Sequence, residues 1–481
     1  VTYSDNSGVL PYILRKINMS KTLHADYLIV GAGASGMAFA DTIVEESSRT
    51  IIIVDKEHKP GGHWNHAYSF VTLHQPSSFY GVSSKELSRG AIDSIGLNAG
   101  LHELASGAEV AAYYDQLMRE VFLPSGRVHY FPMSEYIGNG KIRSLLTSEV
   151  TTISFDTLVD STYYKTSVPA THTPAFSIDE SVNVIPPNQL PLITTPIQGV
   201  TVIGGGKTGI DTCLWLLQHG VSADAIMWIM PRDAWFIDRK NTQPSKSFFF
   251  DTIGAQASQL ESVAESTSLE DMFLRLEKSG VFLRLDQNVV PKMFHGATIS
   301  KQELDEIRRI TQVVRLGRVV SLEKGQITFE KGVLPLPENQ VLVDCTASAI
   351  TNLARVPVFA ENRITLQTVR AYQPTFSAAF IAHIDLTYSD QDKKNRLCTV
   401  VRLPNHDYEW VDLTYQNMMN QYFWSKEPGL KKWLHNNRLD GFMRMVAGVK
   451  FYEFRHLGVL NRMRKAAKPA IAKLKQYKKA L

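Results

Sequence analysis

Cysteine is nearly absent. The 481 residues hold three, Cys213, Cys345 and Cys398, odd in number and far apart. Spaced in this way they form neither a disulfide framework nor a CxxC redox pair, and no His/Cys cluster has zinc spacing. No metal is expected, and a reducing, cytoplasmic compartment is. Long apolar runs are missing too: the nearest, Asp26 to Val44, is interrupted by Asp26 and Asp41 and reads as strand, turn and helix rather than a bilayer span. Nor is there a large excess of one charge, since 51 Lys plus Arg against 47 Asp plus Glu leave a formal net charge of +4. That balance argues against a dedicated nucleic-acid binder. What remains is 44% hydrophobic and 20% charged, an ordinary globular composition whose length predicts two to four domains.

Two glycine turns organise the chain. Ala25 to Val30 reads as a short apolar strand running into Gly31-Ala-Gly-Ala-Ser-Gly36, an amphipathic segment Met37 to Glu46, and a second strand Thr50 to Val54 that ends at Asp55. This is GxGxxG between a strand and a helix. Gly31 permits the tight turn, Gly33 lets backbone approach a diphosphate, and Gly36 lets the helix lie close on the strand. The helix amino terminus offers free N–H groups to phosphate, and Asp55 stands where an acid accepts ribose hydroxyls. A second copy follows at Val200 to Gly209, with Gly204, Gly206 and Gly209 on the same template and a helix that stops at Gly220. Gly206-Lys207-Thr208 resembles part of a P-loop, but that motif needs glycine where Thr201 stands. The strand Ala225 to Met230 then ends in Pro231-Arg232-Asp233, so Arg232 is the candidate partner of a 2′-phosphate, favouring NADPH over NADH. Arg239 and Lys240 are further candidates, and the competing reading leaves Arg232 a solvated surface residue. Two such units imply two dinucleotides, one flavin and one nicotinamide.

After Asp55 comes Lys56-Glu-His-Lys-Pro-Gly61-Gly62-His63-Trp64. GxGxxG, a trailing acid and then GGxW together resemble the FAD domain of the flavin-containing monooxygenases, with Baeyer–Villiger and N-hydroxylating enzymes as relatives. The resemblance implies an α/β fold of two Rossmann-like domains, an FAD domain at 25–195 and 341–400 with an NAD(P) domain inserted at 196–340. A flexible arm at 1–24 and a helical carboxy-terminal region at 401–481 would flank them. It further implies FAD and NADPH as cofactors, contacts from Lys56, Gly62, His63, Trp64, Lys207 and Thr208, and a return strand Val341 to Ala347 whose Cys345-Thr346-Ala347 replaces an "ATG"-like turn beside the flavin. His74 takes the place of a flavin-reaching asparagine and is the candidate catalytic residue, a loop histidine bonded to backbone being the alternative. The implied activity is insertion of one oxygen atom into a small organic substrate through a flavin C4a-peroxy adduct. A flavin reductase serving a quinone or redox protein, and a non-catalytic flavin or nicotinamide sensor, stay open as alternatives. Lacking paired thiols, the chain is not a flavoprotein disulfide reductase.

The FxGxxxH signature of the monooxygenases is missing: Val168 to Gly199 carries six prolines instead and reads as an extended connection. WxWxIP, the mark of flavin halogenases, is missing as well. Capping-box spacing at Ser106/Glu109 and Ser300/Glu303 opens helices expected to run through Phe122 and Ile310. Val313 to Phe329 alternates around Lys324-Gly325-Gln326 as a hairpin, and Ala371 to Leu386 reads as a helix near the flavin whose His383 is a core histidine or an acid. The aromatic stretch Asp407 to Trp433 lines an apolar pocket or packs a helical region. From Arg455 to Leu481 there are nine Lys or Arg and no Asp or Glu, so this tail carries +9 and the rest of the chain −5. With Pro469 expected to interrupt any long helix, the pieces are solvated or lie on an anionic membrane or an acidic partner. Val1 to Asn18 precedes Met19, which makes Met19 a candidate start. Mass spectrometry of the natural amino terminus checks this, and a peptide from residues 1–18 would refute it.

Overall fold

The computed structural model describes residues 23–347, 353–354 and 356–481; the expected arm and Met19 lie outside them. The first unit opens with β1 (Leu23–Val30), α1 (Ala34–Glu46) and β2 (Ile51–Val54). Helix α2 (Gly107–Leu117) follows, started by the Ser106/Glu109 capping box, then β3 (Val128–Phe131) and the long β4 (Val150–Asp160). Beyond α2 the chain continues as a π-helical turn, Met118–Phe122. The proline-rich connection holds two short strands, the second of them β5 (Val184–Ile185).

The second unit contains β6 (Gly199–Ile203), α3 (Lys207–Gln218) and β7 (Ile226–Ile229), then α4 (Phe249–Glu265), α5 (Leu269–Lys278) and α6 (Lys301–Ile307). It closes with β8 (Val313–Val314), a hairpin of Val319–Glu323 and Gln326–Phe329, and β9 (Gln340–Asp344). Only then does the chain re-enter the first sheet as β10 (Arg363–Thr365), followed by α7 (Pro374–Thr387), α8 (Gln391–Leu397), α9 (Trp410–Ser425), α10 (Pro428–Asn436), α11 (Gly441–Ala447) and α12 (Phe454–Ala480).

The two sheets share one logic. In the first, β3, β2, β1, β4 and β10 lie side by side and all parallel. In the second, the order is β8, β7, β6, β9 and β5, again all parallel. Each sheet therefore reverses its winding beside the strand that carries the glycine turn, and ligands bind such sheets in the crevice at that reversal. The strand read as the return to the first unit is the fourth strand of the second. A short run such as Val-Leu-Val-Asp suits any buried parallel strand, so its composition does not tell one sheet from the other.

Helix α1 is buried over Gly36 to Val44, and α7 over Thr375 to Ala382. They need no polar face because α1 lies between the sheet and α7 in the core of the first unit. The aromatic stretch is packing: Trp410 contacts Phe273, Phe282 and Phe294, while Trp424 packs on Phe376 and Phe380. The cationic tail is neither broken nor loose. It forms one 27-residue helix that buries Val459, Ala466, Ala470, Leu474 and Tyr477 against α4, α9 and their neighbours. Pro469 sits inside it with no N–H to give, and this burial outweighs the lost bond.

Pro469→Ala is expected to raise the thermal unfolding midpoint by the equivalent of about 1–2 kcal/mol, because a helix bond returns while the unfolded chain gains freedom. Leu474→Ala is expected to lower stability by about 2–5 kcal/mol. Thermal and urea melts followed by circular dichroism check both signs.

Candidate active site

The first turn is built by contact between glycines. Gly31 lies at φ +101°, and a Cβ on Gly36 would stand 2.1 Å from the Gly31 carbonyl oxygen, so α1 can approach β1 this closely only without a side chain there. The α1 N-cap is Gly33, with no side-chain cap, so its first-turn N–H groups stay available for an anion. Gly61 and Gly62, at φ +125° and +57°, fold over this turn: the Gly61 N–H donates to the Ala32 carbonyl at 2.9 Å, and a Cβ on Gly62 would meet the Gly33 Cα at 3.0 Å. Ser161, just past β4, donates through Oγ to the Gly31 carbonyl at 3.0 Å and forms the other wall.

The remaining first-unit candidates surround that crevice. The Asp55 carboxylate accepts from the backbone N–H groups of Ala32 and Glu57 and so holds the turn; burial pushes its pKa up against these bonds. Trp64 donates from Nε1 to the Tyr80 hydroxyl at 2.8 Å and packs edge-on to that ring. His63 packs tilted against Trp64 with ring centroids 5.3 Å apart, and desolvation lowers its pKa to about 4. Lys56 is exposed and pairs with Glu135 at 3.2 Å.

The second turn repeats the contact. Gly204 lies at φ +131° with its carbonyl held by Trp228 Nε1 at 2.9 Å, and a Cβ on Gly209 would stand 2.1 Å from that carbonyl oxygen. Gly206 is the uncapped N-cap of α3 and has open space beyond its Cα. Here Cys345 takes the place Ser161 has in the first unit, since a Cβ on Gly204 would meet its carbonyl oxygen at 2.6 Å. Thr346 therefore lines the second crevice and not the first. It bonds Asp344 at 2.6 Å and His172 at 3.1 Å, which corrects its expected place beside the flavin. All three cysteines are free and buried, with thiols pushed up by desolvation, so none is a nucleophile at neutral pH.

Beside the second turn a cluster joins motif residues to two that the motifs do not contain, Tyr68 and Asp211. Tyr68, from the loop after GGxW, donates to Asp211 Oδ2 at 2.7 Å, and Lys207 pairs with Oδ1 of the same carboxylate. The Lys207 and Asp211 side chains are only 9% and 10% exposed, and desolvation raises the Asp211 pKa against the pull of Lys207 and Tyr68. Lys207 thus folds back on its own helix instead of reaching forward to phosphates, while Thr208 contacts the Tyr68 hydroxyl. His74 belongs to this cluster: desolvation first, then the cations Lys207 and Arg239, hold its pKa well below the usual value. Asp211, four residues after Lys207, was visible as an i, i+4 pair; Tyr68 had no signal, because it acts from an irregular loop.

Arg239 is removed from the phosphate candidates. Its guanidinium is fully buried, donating to Glu303 at 2.7 Å, Asn98 at 3.0 Å and the His74 carbonyl at 3.0 Å. Lys240 is likewise engaged, with Asp251 at 3.0 Å. Arg232 stands at the end of β7, donating to Asn405 Oδ1 at 2.8 Å, and the neighbouring Arg318 charge adds to desolvation in lowering its pKa. Asn405 also lines a cavity of about 880 Å³ that reaches Tyr163 and Tyr164, just past β4, and Gln416 of α9. His383 lies elsewhere. It bonds Glu46, the last residue of α1, at 2.6 Å and stacks on Trp433, at the helix end opposite the glycine turn.

A family described as NAD(P)-binding Rossmann-like domain matches residues 29–74, the first turn through His74. The uncharacterized protein Rv2000 of Mycobacterium tuberculosis is 43% identical over 421 residues, covering 88% of this chain and 78% of that protein. Its counterpart Mb2023 of Mycobacterium bovis matches to the same extent. Among solved structures, a cyclohexanone-bound cyclohexanone monooxygenase is similar at 13% identity and TM-score 0.49, covering 85% of this chain and 99% of the other. A flavin-containing monooxygenase from Stenotrophomonas maltophilia is similar at 15% identity and TM-score 0.39, covering 74% and 89%.

Lys207→Met is expected to cost about 3 kcal/mol in urea denaturation, because Asp211 keeps its burial and loses its cation; Lys207→Met with Asp211→Asn should recover most of that loss. His74 stays neutral when folded, whereas the unfolded chain binds its proton near the ordinary value of 6.5. Below that pH the unfolded state holds the extra proton, so stability falls as pH drops. His74→Gln should flatten this acid limb, as pH-dependent urea melts will show.

Proposed function

We propose that this chain, which belongs to the family of the mycobacterial protein Rv2000, is an NADPH-dependent FAD oxidoreductase that inserts one oxygen atom into a small organic substrate. The observation that carries this reading is a pair of glycine-turn helices with uncapped amino termini, the second joined to the loop after the first through the Tyr68–Asp211–Lys207 cluster, with His74 close to Lys207 and Arg239. Dinucleotides held at both turns would need to bring their redox ends together for hydride transfer between them.

The first crevice fits FAD. Gly31, Gly33 and Gly36 clear a path for the diphosphate at the α1 amino terminus, and the Gly61-Gly62 loop closes over it. Asp55 keeps acceptor capacity for ribose beyond its two backbone donors. Gly204, Gly206, Gly209 and the α3 amino terminus would hold NADPH in the second crevice, with Thr346 on its wall and Arg232 the candidate contact for its 2′-phosphate. When bound, FAD supplies a hydride acceptor that reacts with dioxygen once reduced. The overall balance consumes NADPH, a proton, dioxygen and substrate, and yields NADP⁺, water and the oxygenated product. This chain's part is to orient both rings and keep water out. His74, neutral in a desolvated setting, is placed to exchange a proton with substrate. Order of motifs supports oxygenation over simple electron transfer: GxGxxG, acid, GGxW and the second GxGxxG follow one another as in the monooxygenases they resemble.

The purified protein is expected to carry FAD, to bleach when NADPH is added without air, and to place one atom of isotopically labelled dioxygen in an organic product. Bleaching with rapid quinone reduction and no label in any product would favour the reductase instead, and absence of flavin would overturn both. Arg232→Gln is expected to raise KM for NADPH about 10- to 100-fold, the loss of one charge-assisted contact. KM for NADH should stay within about twofold on the same ground.

A further inference from the structure

We infer that the turn Lys450–Glu453 and the outward face of α12 form a docking surface for an anionic lipid bilayer. The turn is closed by the Glu453 N–H donating to the Lys450 carbonyl at 3.0 Å, and again by the Lys450 N–H donating to the Glu453 carboxylate at 2.7 Å. Its two central residues are Phe451 and Tyr452, which are 85% and 60% exposed. Phe454, the first residue of α12, is 78% exposed. Tight turns take Gly, Asn, Asp, Ser or Pro at such positions for conformational and solvation reasons. Three aromatic side chains pushed into water at the tip of a closed turn gain nothing from the fold itself. Aromatic rings with a polar edge or a neighbouring cation are suited to the boundary between lipid and water.

The charge beside this tip has the complementary sign. Arg455 places its guanidinium 5.2 Å over the half-exposed Phe250 ring, extending the patch from α12 onto α4. Along α12 the buried side chains Val459, Ala466, Ala470 and Leu474 fix which side faces the protein. The opposite side carries Phe454, Leu457, Arg464, Lys465, Lys468, Lys475 and Lys479, all exposed. Nearby carboxylates are already neutralised: Glu453 by Lys246 at 2.5 Å, Glu261 by Arg462 at 2.5 Å, Asp251 by Lys240 at 3.0 Å, and Asp412 by Lys478. The five outward cations have no ion pair among the described residues. From Phe454 to Lys479 the helix spans roughly 37 Å at its usual rise. A row of cations from Arg464 to Lys479, roughly 22 Å long at the usual rise and led by a protruding aromatic tip, matches a charged plane better than a compact acidic protein. No helix among the described residues is long and apolar enough to cross a membrane, so the contact is peripheral.

The test uses the full chain with vesicles of phosphatidylcholine alone or with roughly one-third phosphatidylglycerol, in salt of roughly 0.1 M. Sedimentation should show at least about tenfold stronger binding to the anionic vesicles, weakened by high salt. Phe451→Ser with Phe454→Ser should lower that binding about tenfold or more. Arg464→Glu with Lys465→Glu and Lys468→Glu should abolish it, at roughly fivefold or more for each cation lost. Circular dichroism and flavin content, unchanged in both variants, keep loss of binding distinct from loss of fold. Equal binding to the two vesicle types, no binding to either, or wild-type binding by both variants would overturn the inference. Binding to polyglutamate without binding to vesicles would overturn it in favour of an acidic protein.

Discussion

Everything at the candidate site depends on one steric contact, made twice. The third glycine of each turn lies against the carbonyl oxygen of the first, so closely that a single methyl group on Gly36 or Gly209 would fall 2.1 Å from that oxygen. No side-chain rotation relieves such a clash, because both partners are backbone. The contact pins each helix beside the strand that precedes it, and this aims the helix amino terminus into the crevice where the sheet reverses its winding. The neighbouring strand then supplies the opposite wall, Ser161 in the first unit and Cys345 in the second. Different residues do the same geometric work because only a small side chain and an approachable backbone are required.

The two units are held in register by charge as well as by packing. The Asp211 side chain is only a tenth exposed, which alone would leave an expensive carboxylate; Lys207 and the Tyr68 hydroxyl together satisfy it. Because Tyr68 comes from the first unit and Asp211 from the second, separating the units strands a buried charge. Arg239 does the same from the other direction, tying the His74 carbonyl of the first unit to Glu303 of the second. Such pairs add little net stability compared with apolar packing, but they make one relative placement of the units far better than its neighbours. A reaction between two bound rings needs that precision.

The fold was largely legible because its signals are local. Strand, glycine turn, helix and acid recur within thirty residues, and capping boxes at Ser106 and Ser300 mark helix starts through side-chain chemistry that acts over three residues. What was misread depended on distant partners. The strand at 340–344 could complete either sheet, and only its pairing with β6 assigns it to the second. Thr346 moved with it. Pro469 argues for a helix break within its own turn, yet burial of Ala466, Ala470 and Leu474 by other helices overrides that local cost. The site was legible where backbone geometry defines it and illegible where loop side chains do. Glycines announced both crevices, whereas Tyr68 acts from a loop with no periodicity, and its partner is 143 positions away.

A nearly neutral chain conceals cations in two physically distinct situations. The side chains of Lys207, Arg239 and Arg370 are less than a tenth exposed, and each faces a carboxylate: Asp211, Glu303 and Asp440. Arg370 also lies 3.7 Å over the Phe376 ring, so a π face meets its charge where Nε and Nη1 have no hydrogen-bond partner. For these groups removal of either partner leaves an uncompensated charge in the interior, and salt in the solvent does little to screen it. The outward cations of α12 are the opposite case. They cost the fold almost nothing, since water solvates them, and they contribute almost nothing to it, since no carboxylate answers them. A stability argument therefore explains the first set and leaves the second without a reason to be so concentrated. Their effect lies in the field they project beyond the surface, strong within about a Debye length and directed outward along one helix.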